Sequence, residues 1–156
     1  MLFRSSNAQI AVHWTLTWTA PATHLWEIGL RLPVPGDLTQ MRWSRDSFFT
    51  DYPTGHLGEP QGQCRPGEPS FHASKSNLHW LTLTRPSGIG LALLHSDSPL
   101  VGRSDSSPSD RTLYASSAIA SAGQDDLSRS WFADREIIAT PDKPLMGSFV
   151  LRAVRN

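Results

Sequence analysis

A strict alternation near the amino end of the chain constrains the fold more than any other feature. Between Gln9 and Trp18, every even position carries a large apolar side chain, and these are Ile10, Val12, Trp14, Leu16 and Trp18. Successive side chains of a strand point to opposite faces of the sheet, so this period predicts a strand with one buried face. We therefore expect Trp14 and Trp18 to lie in a hydrophobic core.

A second run repeats the pattern after a short turn. Residues 26–32 alternate between apolar and polar or small side chains, and the run stops at Pro33 and Pro35, which cannot donate hydrogen bonds to a neighbouring strand. Residues 20–23 have the composition of a turn between the two runs. We predict two adjacent antiparallel strands and place Trp26 in the core as well.

The middle of the chain contains the pattern of a β-hairpin. Leu78–Thr84 and Ile89–Leu94 are apolar runs joined by Arg85-Pro86-Ser87-Gly88, in which Pro and Gly suit a four-residue turn. Shorter strands are predicted at residues 38–43, 112–115 and 149–154. The Pro- and Gly-rich stretch from Ser47 to Ser70 is predicted to be a long structured loop.

Composition agrees with many short strands. The 156 residues include 11 Gly and 12 Pro, and only 18% are charged. We predict an all-β chain: one antiparallel β-sandwich domain over residues 1–156, with eight to ten strands and little helix. Residues 125–140 form either a helix, with Leu127, Trp131 and Ile138 at helical spacing, or a turn followed by a strand over residues 135–140.

Charge and cysteine content argue against several functions. Fourteen basic residues balance 14 acidic ones without a basic cluster, so neither nucleic acid nor a membrane surface is an expected partner. No run approaches the 18 apolar residues of a spanning helix, and we expect no leader segment. Cys64 is the only cysteine, so no internal disulfide is expected, and its surroundings do not predict a reactive thiol.

The residue types that most often act in catalysis or bind metals show no spacing typical of a catalytic or metal site. The six histidines lack zinc-site spacing, and the pair Asp125 and Asp126 is expected to cap a loop or helix rather than bind calcium. No Gly-x-Ser-x-Gly segment is present, and no pair of carboxylates stands out for acid–base work. We predict no metal and no cofactor. Six tryptophans offer flat faces for stacking, and the sequence leaves open how Trp43, Trp80 and Trp131 face.

The order of several segments resembles the carboxy-terminal β-sandwich domain of family 2 β-galactosidases, which is related in fold to galactose mutarotases. The resemblance covers residues 9–154, in matching order. It is carried by Ile28-Gly29-Leu30-Arg31-Leu32-Pro33-Val34-Pro35, Met41-Arg42-Trp43, Tyr52-Pro53-x-x-His56-Leu57-Gly58-x-Pro60-x-Gly62, Asn77 to Leu91, and Gly123-Gln124-Asp125-Asp126.

This resemblance implies a supersandwich fold and a role in a larger glycosidase. In that family the two catalytic glutamates belong to a separate (β/α)8 barrel, which takes about 250 residues. The chain alone is therefore not expected to hydrolyse glycosides. Residues 43–52 lack the two glycines and the glutamate of the common family pattern. The family tryptophan after the paired aspartates falls on Ser128 without a gap, or on Trp131 with a three-residue slip.

Two functional hypotheses from different classes follow. The first is a non-catalytic accessory domain that packs on the catalytic barrel of a parent family 2 glycosidase and contributes to carbohydrate binding. The second is an autonomous carbohydrate-binding module. A sugar epimerase with His and Glu as acid and base is a weaker third hypothesis. A domain cut from a larger enzyme exposes apolar surface, so homo-oligomers are also expected.

The carbohydrate site is predicted on two loops. Gly123 suits a tight turn, while Asp125 and Asp126 offer acceptors for sugar hydroxyls and Trp131 offers an aromatic face. The alternative is that Asp125 caps a helical turn and Trp131 fills the core. Together with two residues of the earlier loop, the predicted carbohydrate-binding residues are Tyr52, His56, Asp125, Asp126 and Trp131.

Overall fold

The computed structural model describes residues 2–6, 8–46, 60–105, 111–119 and 137–155. These residues form antiparallel strands with one short helix, so the prediction of an all-β fold with little helix is confirmed. The elements are β1 (Leu2–Ser6), β2 (Gln9–Leu16), β3 (Thr23–Leu25), β4 (Glu27–Pro33), β5 (Gln40–Arg45), β6 (Gln61–Cys64), α1 (Pro69–His72), β7 (Leu78–Thr84), β8 (Ile89–Leu94), β9 (Val101–Ser104), β10 (Thr112–Ile119), β11 (Ile137–Ala139) and β12 (Leu145–Arg155).

A seven-stranded sheet dominates the described part of the chain, in the order β1-β2-β12-β8-β7-β5-β6. Strands β7 and β8 form the predicted hairpin with the predicted bounds. In its turn the Gly88 N–H donates to the Arg85 carbonyl at 2.9 Å, and Gly88 has a φ of +80°, which favours glycine.

Two smaller sheets complete the described structure: a three-stranded sheet in the order β4-β10-β9, and the pair β11-β3. Strand β2 pairs with β1 and β12, whereas β4 pairs with β10. The prediction that β2 and β4 are antiparallel neighbours is therefore wrong. Alternation predicts which side of a strand is buried but carries no information about its partner, and the partners here come from distant parts of the chain.

The core lies between the seven-stranded and three-stranded sheets. Trp14 on β2 is buried there as predicted, and Trp18, beyond the end of β2, is half-buried. Trp26 contradicts the prediction, since 52% of it is exposed. It lies in a bend before β4 begins at Glu27, where the period-two pattern no longer determines which way a side chain points.

Each of two core tryptophans faces a glycine on the neighbouring strand. Trp43 of β5 is the register partner of Gly62 in β6, and Trp14 of β2 is the partner of Gly147 in β12. A Cβ atom at either glycine would overlap the indole ring. The two glycines therefore provide the space in which these rings pack.

The predicted loop between Ser47 and Ser70 contains regular structure in its described part. Residues 61–64 form β6 at the edge of the seven-stranded sheet, and residues 69–72 form α1, with Pro69 at its first turn. Pairing with β5 orders β6 despite its polar sequence, so tertiary contacts outweigh local propensity. Near the carboxyl end, β11 agrees with the strand alternative for residues 135–140.

Candidate functional site

The five residues predicted to bind carbohydrate lie outside the described residues. They are Tyr52, His56, Asp125, Asp126 and Trp131. Their assignment therefore stays a prediction. The described structure instead presents several open concavities, among them one at an end of the sandwich and one on the outer face of the seven-stranded sheet.

The first concavity, which we call the end depression, has a volume of about 470 Å³. Its described lining is Ile28, Ser98, Pro99, Ser117, Ile137, Ile138, Lys143, Leu145 and Met146. Most of these side chains are apolar, and Met146 and Ile138 are 66% and 41% exposed. Large apolar side chains in contact with water at the rim of a concavity are typical of a surface that binds another molecule.

Strand pairing explains why these residues meet. Leu145 begins β12 opposite Leu16, the last residue of β2, and β11 places Ile138 opposite His24 of β3. The ends of both strand pairs thus contribute to one end of the sandwich. Leu16 is itself 38% exposed, so the apolar surface extends past the rim of the depression.

The end depression also borders the chain segment that holds three of the predicted site residues. Strand β10 ends at Ile119 and β11 begins at Ile137. Ser117, just before this segment, and Ile137, just after it, both line the depression. The described residues Ser117 and Ile137, on either side of this segment in sequence, therefore both lie at this surface.

The second concavity, which we call the outer trench, has a volume of about 320 Å³ and is open to solvent on the face of the seven-stranded sheet away from the core. Its described lining is Arg42, Trp80, Thr82, Ala92, Leu94, Arg152 and Val154. Four neighbouring strands, β5, β7, β8 and β12, supply these residues. The sheet scaffold therefore fixes the backbone position of every residue in it.

The outer trench is positively charged. Arg42 and Arg152 are exposed, and two N–H groups of Arg152 donate to Gln9 Oε1, with Nε at 3.3 Å and Nη2 at 2.9 Å. None of the described outward-facing side chains on the strands of this sheet is an Asp or Glu. Glu68, which precedes α1, lines a neighbouring concavity with Arg42 and Arg65. Within the described part of the chain, the Arg42 guanidinium has no hydrogen-bond or ion-pair partner. This face therefore favours an anionic ligand.

A buried lysine lies on the opposite, inner side of the same sheet. Lys75 is 1% exposed, and its Nζ donates to the carbonyls of Ser70 and Ala73 and lies 4.8 Å from the centroid of the Trp43 ring. Burial lowers the pKa of Lys75 to about 8, and burial raises the pKa of the nearby Cys64 thiol. Because the Lys75 ammonium is enclosed, the structure gives it a part in packing. Cys64 is 4% exposed and borders a smaller concavity of about 260 Å³ beside Glu68.

Arg111 is a second enclosed cation. It is 2% exposed, its Nη1 donates to the Leu38 carbonyl, and its guanidinium carbon lies 5.2 Å from the centroid of the Phe71 ring. Its Nε has no hydrogen-bond partner among the described residues. Burial lowers the pKa of Arg111, but the side chain lines neither concavity, so we assign it to the packing between α1 and the sheets.

A polar network centred on Glu27 lies on the outside of the three-stranded sheet. One Glu27 oxygen accepts from Arg103 Nη2 at 2.7 Å and the other accepts from the Ser116 hydroxyl. Arg103 also lies 3.7 Å from the centroid of the Tyr114 ring, and Arg31 lies on that ring at 5.5 Å. Both carboxylate oxygens of Glu27 are thus occupied within the protein, which does not suit general acid or base work.

Two features are absent from the residues that the structure describes: a cluster of metal-ligating side chains and a helix able to span a membrane. Over these ranges, no three His, Cys, Asp or Glu side chains lie close enough together to hold a metal ion. No helix in the same part of the chain combines the length and the apolar character needed to cross a bilayer.

Sequence reasoning missed the outer trench. The sequence offers Trp80 for stacking but does not indicate which way its side chain faces. The linear pattern also does not indicate that Arg42 lies beside residues 80–82 and 152–154. Only the register of β5, β7, β8 and β12 brings them together. The only signal available was the positive charge of two arginines at polar positions of predicted strands.

Comparison with known proteins gives no relative from which a function can be transferred. No protein-family model matches the chain, and no curated protein matches it significantly. The functional argument therefore depends on the two concavities and on the residues that line them.

Proposed function

We propose that this chain is a non-catalytic accessory domain of a family 2 β-galactosidase-like glycoside hydrolase, of the galactose-mutarotase-like supersandwich type. It packs on the catalytic barrel of the parent enzyme and contributes to carbohydrate binding. The ordered set of sequence segments that resembles this family supports the proposal, and the all-β architecture is compatible with it.

The end depression is the observation that carries the proposal. Its lining combines exposed apolar residues with Ser117 and Ile137, which precede and follow in sequence the segment that contains Asp125, Asp126 and Trp131. An accessory domain needs an apolar surface for the barrel and a loop directed toward the sugar. The end depression supplies the first and adjoins the segment proposed for the second.

The position of the exposed apolar side chains supports the same interpretation. Leu16, Ile138 and Met146 cluster at this end, whereas Ile89 lies at the opposite end of the sheet, paired with Arg155. Burying several such side chains against a partner stabilises the complex by about 25 cal/mol for each Å² of apolar area removed from water. The same surface explains why the isolated chain is expected to self-associate.

The test begins with the reading frame in which this sequence lies. We expect it to encode a (β/α)8 barrel before the present residues. When the barrel and this chain are expressed separately and mixed, analytical ultracentrifugation should detect a complex. Met146→Asp should weaken that complex, because the charge would be buried at the interface.

Ile89→Asp is the matched control, since it introduces the same charge at an exposed apolar residue away from the end depression. It should leave the complex intact. A reading frame without a barrel, or a barrel that does not bind the chain, would contradict the accessory function. Equal effects of both variants would contradict the assignment of the interface to this end.

A second candidate function is an autonomous carbohydrate-binding module. The outer trench favours it, because Trp80 offers an aromatic face beside polar and charged side chains on a rigid sheet. The two functions are compatible when the face that holds the trench stays exposed beside the barrel.

A further inference from the structure

Four strands place one row of residues straight across the outer face of the seven-stranded sheet. Arg42 is the register partner of Thr82, Thr82 of Ala92, and Ala92 of Arg152. Neighbouring strands lie about 4.8 Å apart, so the two arginine backbones stand three spacings, or about 14 Å, from each other. A row with small residues in the middle and a cation at each end forms the floor and the two ends of the outer trench.

Neighbouring rows form the walls of this trench. Trp80 of β7 pairs with Leu94 of β8 on one side, and Val154 of β12 lies on the other side opposite Gly90. The floor residue Ala92 is 2% exposed, whereas Trp80 and Leu94 are half-buried at the wall. The trench is therefore an elongated cleft with an aromatic side wall.

The hydrogen bonds around Arg152 show that this cation is positioned. Gln9, its register partner on β2, accepts from Nε and Nη2, which leaves Nη1 without a partner among the described residues. Arg42 at the other end has no partner for its guanidinium in the same part of the chain. Both ends of the trench thus present N–H donors that suit a carboxylate.

We propose that the outer trench binds an acidic polysaccharide built of uronic acid units, with a pyranose ring against Trp80 and carboxylates paired with Arg42 and Arg152. This names a ligand class for the second candidate function and does not depend on the catalytic barrel. A uronate chain carries a carboxylate on each ring, so an oligomer that lies along the row can reach both arginines.

The chemistry of the trench favours this ligand over an acidic peptide. A peptide laid across the face of a sheet loses water from its own N–H and C=O groups, and the sheet has already used its backbone groups between strands. Along the floor, only the Thr82 hydroxyl remains to replace that water. A pyranose ring instead turns C–H groups toward the indole and keeps its hydroxyls at the open side.

The experiment is isothermal titration of the 156-residue chain with a galacturonic acid hexamer and with a neutral galactose hexamer of the same length. The uronate is expected to bind and the neutral oligomer to bind at least about tenfold more weakly. Affinity for the uronate should fall as salt is raised, because the arginines are exposed and their charges are screened.

Variants then locate the site. Arg42→Gln and Arg152→Gln should each lower uronate affinity about three- to tenfold, and Trp80→Ala about tenfold, with Trp80→Phe in between. Arg31→Gln is the matched control, because Arg31 is exposed on the outer side of the three-stranded sheet. It should leave the affinity unchanged. Thermal melts of each variant verify that the fold is retained.

Three results would overturn the inference. One is the absence of uronate binding by the folded wild-type chain. Another is uronate binding that Arg31→Gln weakens as much as the trench variants do. The third is equal affinity for a glutamate hexapeptide with the same sensitivity to Arg42→Gln and Trp80→Ala, which would assign the trench to acidic peptides. None of these results bears on whether the chain packs on a barrel.

Discussion

Two tryptophans on neighbouring strands of the seven-stranded sheet have opposite surroundings. Trp43 of β5 faces the core and is 3% exposed, whereas Trp80 of β7, the partner of Ser44, lies half-buried on the outer face. Trp43 contacts partners within the chain, with Gly62 beneath its ring and the Lys75 ammonium beside it. Trp80 borders an open trench with a cation at each end.

This contrast separates the residues that hold the fold from those that are free to bind a ligand. On the inner face, the ring of Trp43 is enclosed by packed side chains and by the Lys75 ammonium. On the outer face, Arg42 and Arg152 cost little stability where they are, because water solvates them. We expect substitutions on the inner face to change the free energy of unfolding, and those on the outer face to change binding.

The largest expected effect tests this contrast directly. Trp43→Ala should lower the free energy of unfolding by about 3–5 kcal/mol, because it leaves a cavity in the core and removes the ring next to Lys75. Trp80→Ala should lower it by about 1 kcal/mol, since its ring is partly in water already. Chemical denaturation of both variants measures the two values. Equal losses would erase the distinction between the two faces.

A glycine beneath the other core tryptophan provides a second test of the inner face. Gly147→Ala places a methyl group against the Trp14 ring and should lower the free energy of unfolding by about 1–3 kcal/mol, through overpacking. Val150→Ala, on the outward side of the same strand, is the control and should cost less. A neutral Gly147→Ala would mean that Trp14 does not pack on β12 as described.

The pH dependence of stability tests whether Lys75 is enclosed on the inner face. Its pKa is lowered to about 8 in the folded chain from 10.5, so above pH 8 the unfolded chain holds more protons at this site and stability rises with pH. Relative to Lys75→Met, the wild-type chain should gain roughly 1 kcal/mol per pH unit between about pH 8 and about pH 9. The Cys64 thiol, whose pKa is raised by burial, is present in both chains, so its own titration cancels to first order from this difference.

Denaturation at several pH values gives this difference. Lys143→Met is the matched control, because it removes the same kind of side chain at an exposed position, and it should retain the gain due to Lys75. A difference between wild type and Lys75→Met that does not change across the range would mean that the Lys75 ammonium is not enclosed.

The smallest expected effect is on the outer face. The double variant Arg42→Gln and Arg152→Gln should change the free energy of unfolding by less than about 0.5 kcal/mol, because the two guanidinium groups are exposed. Thermal melting of the double variant beside wild type checks this. A loss of several kcal/mol would mean that these arginines belong to the fold.

Strands with local signals were predictable from the sequence. The period-two run predicted β2, and Pro86 with Gly88 predicted the hairpin and its bounds. The pairing of strands that are distant in sequence was not predictable, because alternation does not specify a partner. The sequence therefore predicts β4 beside β2, whereas the structure pairs β4 with β10. Trp26 was misplaced for a related reason, since the pattern does not reveal where a strand begins.

The candidate site was less predictable than the fold. The outer trench depends on Arg42, Thr82, Ala92 and Arg152 sharing a row, and the first and last of these residues are 110 positions apart in sequence. Lys75 gave no signal either, because its burial depends on carbonyls that the turn of α1 supplies. The predicted residues Asp125, Asp126 and Trp131 lie outside the described residues, although described residues that precede and follow their segment in sequence line the end depression.

The central claim is that an acidic polysaccharide binds on the outer face of the seven-stranded sheet, separate from the core and from the end depression proposed to face the barrel. Proton–nitrogen NMR of the chain titrated with a galacturonic acid hexamer tests it most directly. We predict the largest shifts at the Trp80 indole N–H and at the Ala92 and Leu94 amides, with Ile138 and Met146 unchanged. Shifts confined to Ile138 and Met146, or no shifts at all, would contradict the account.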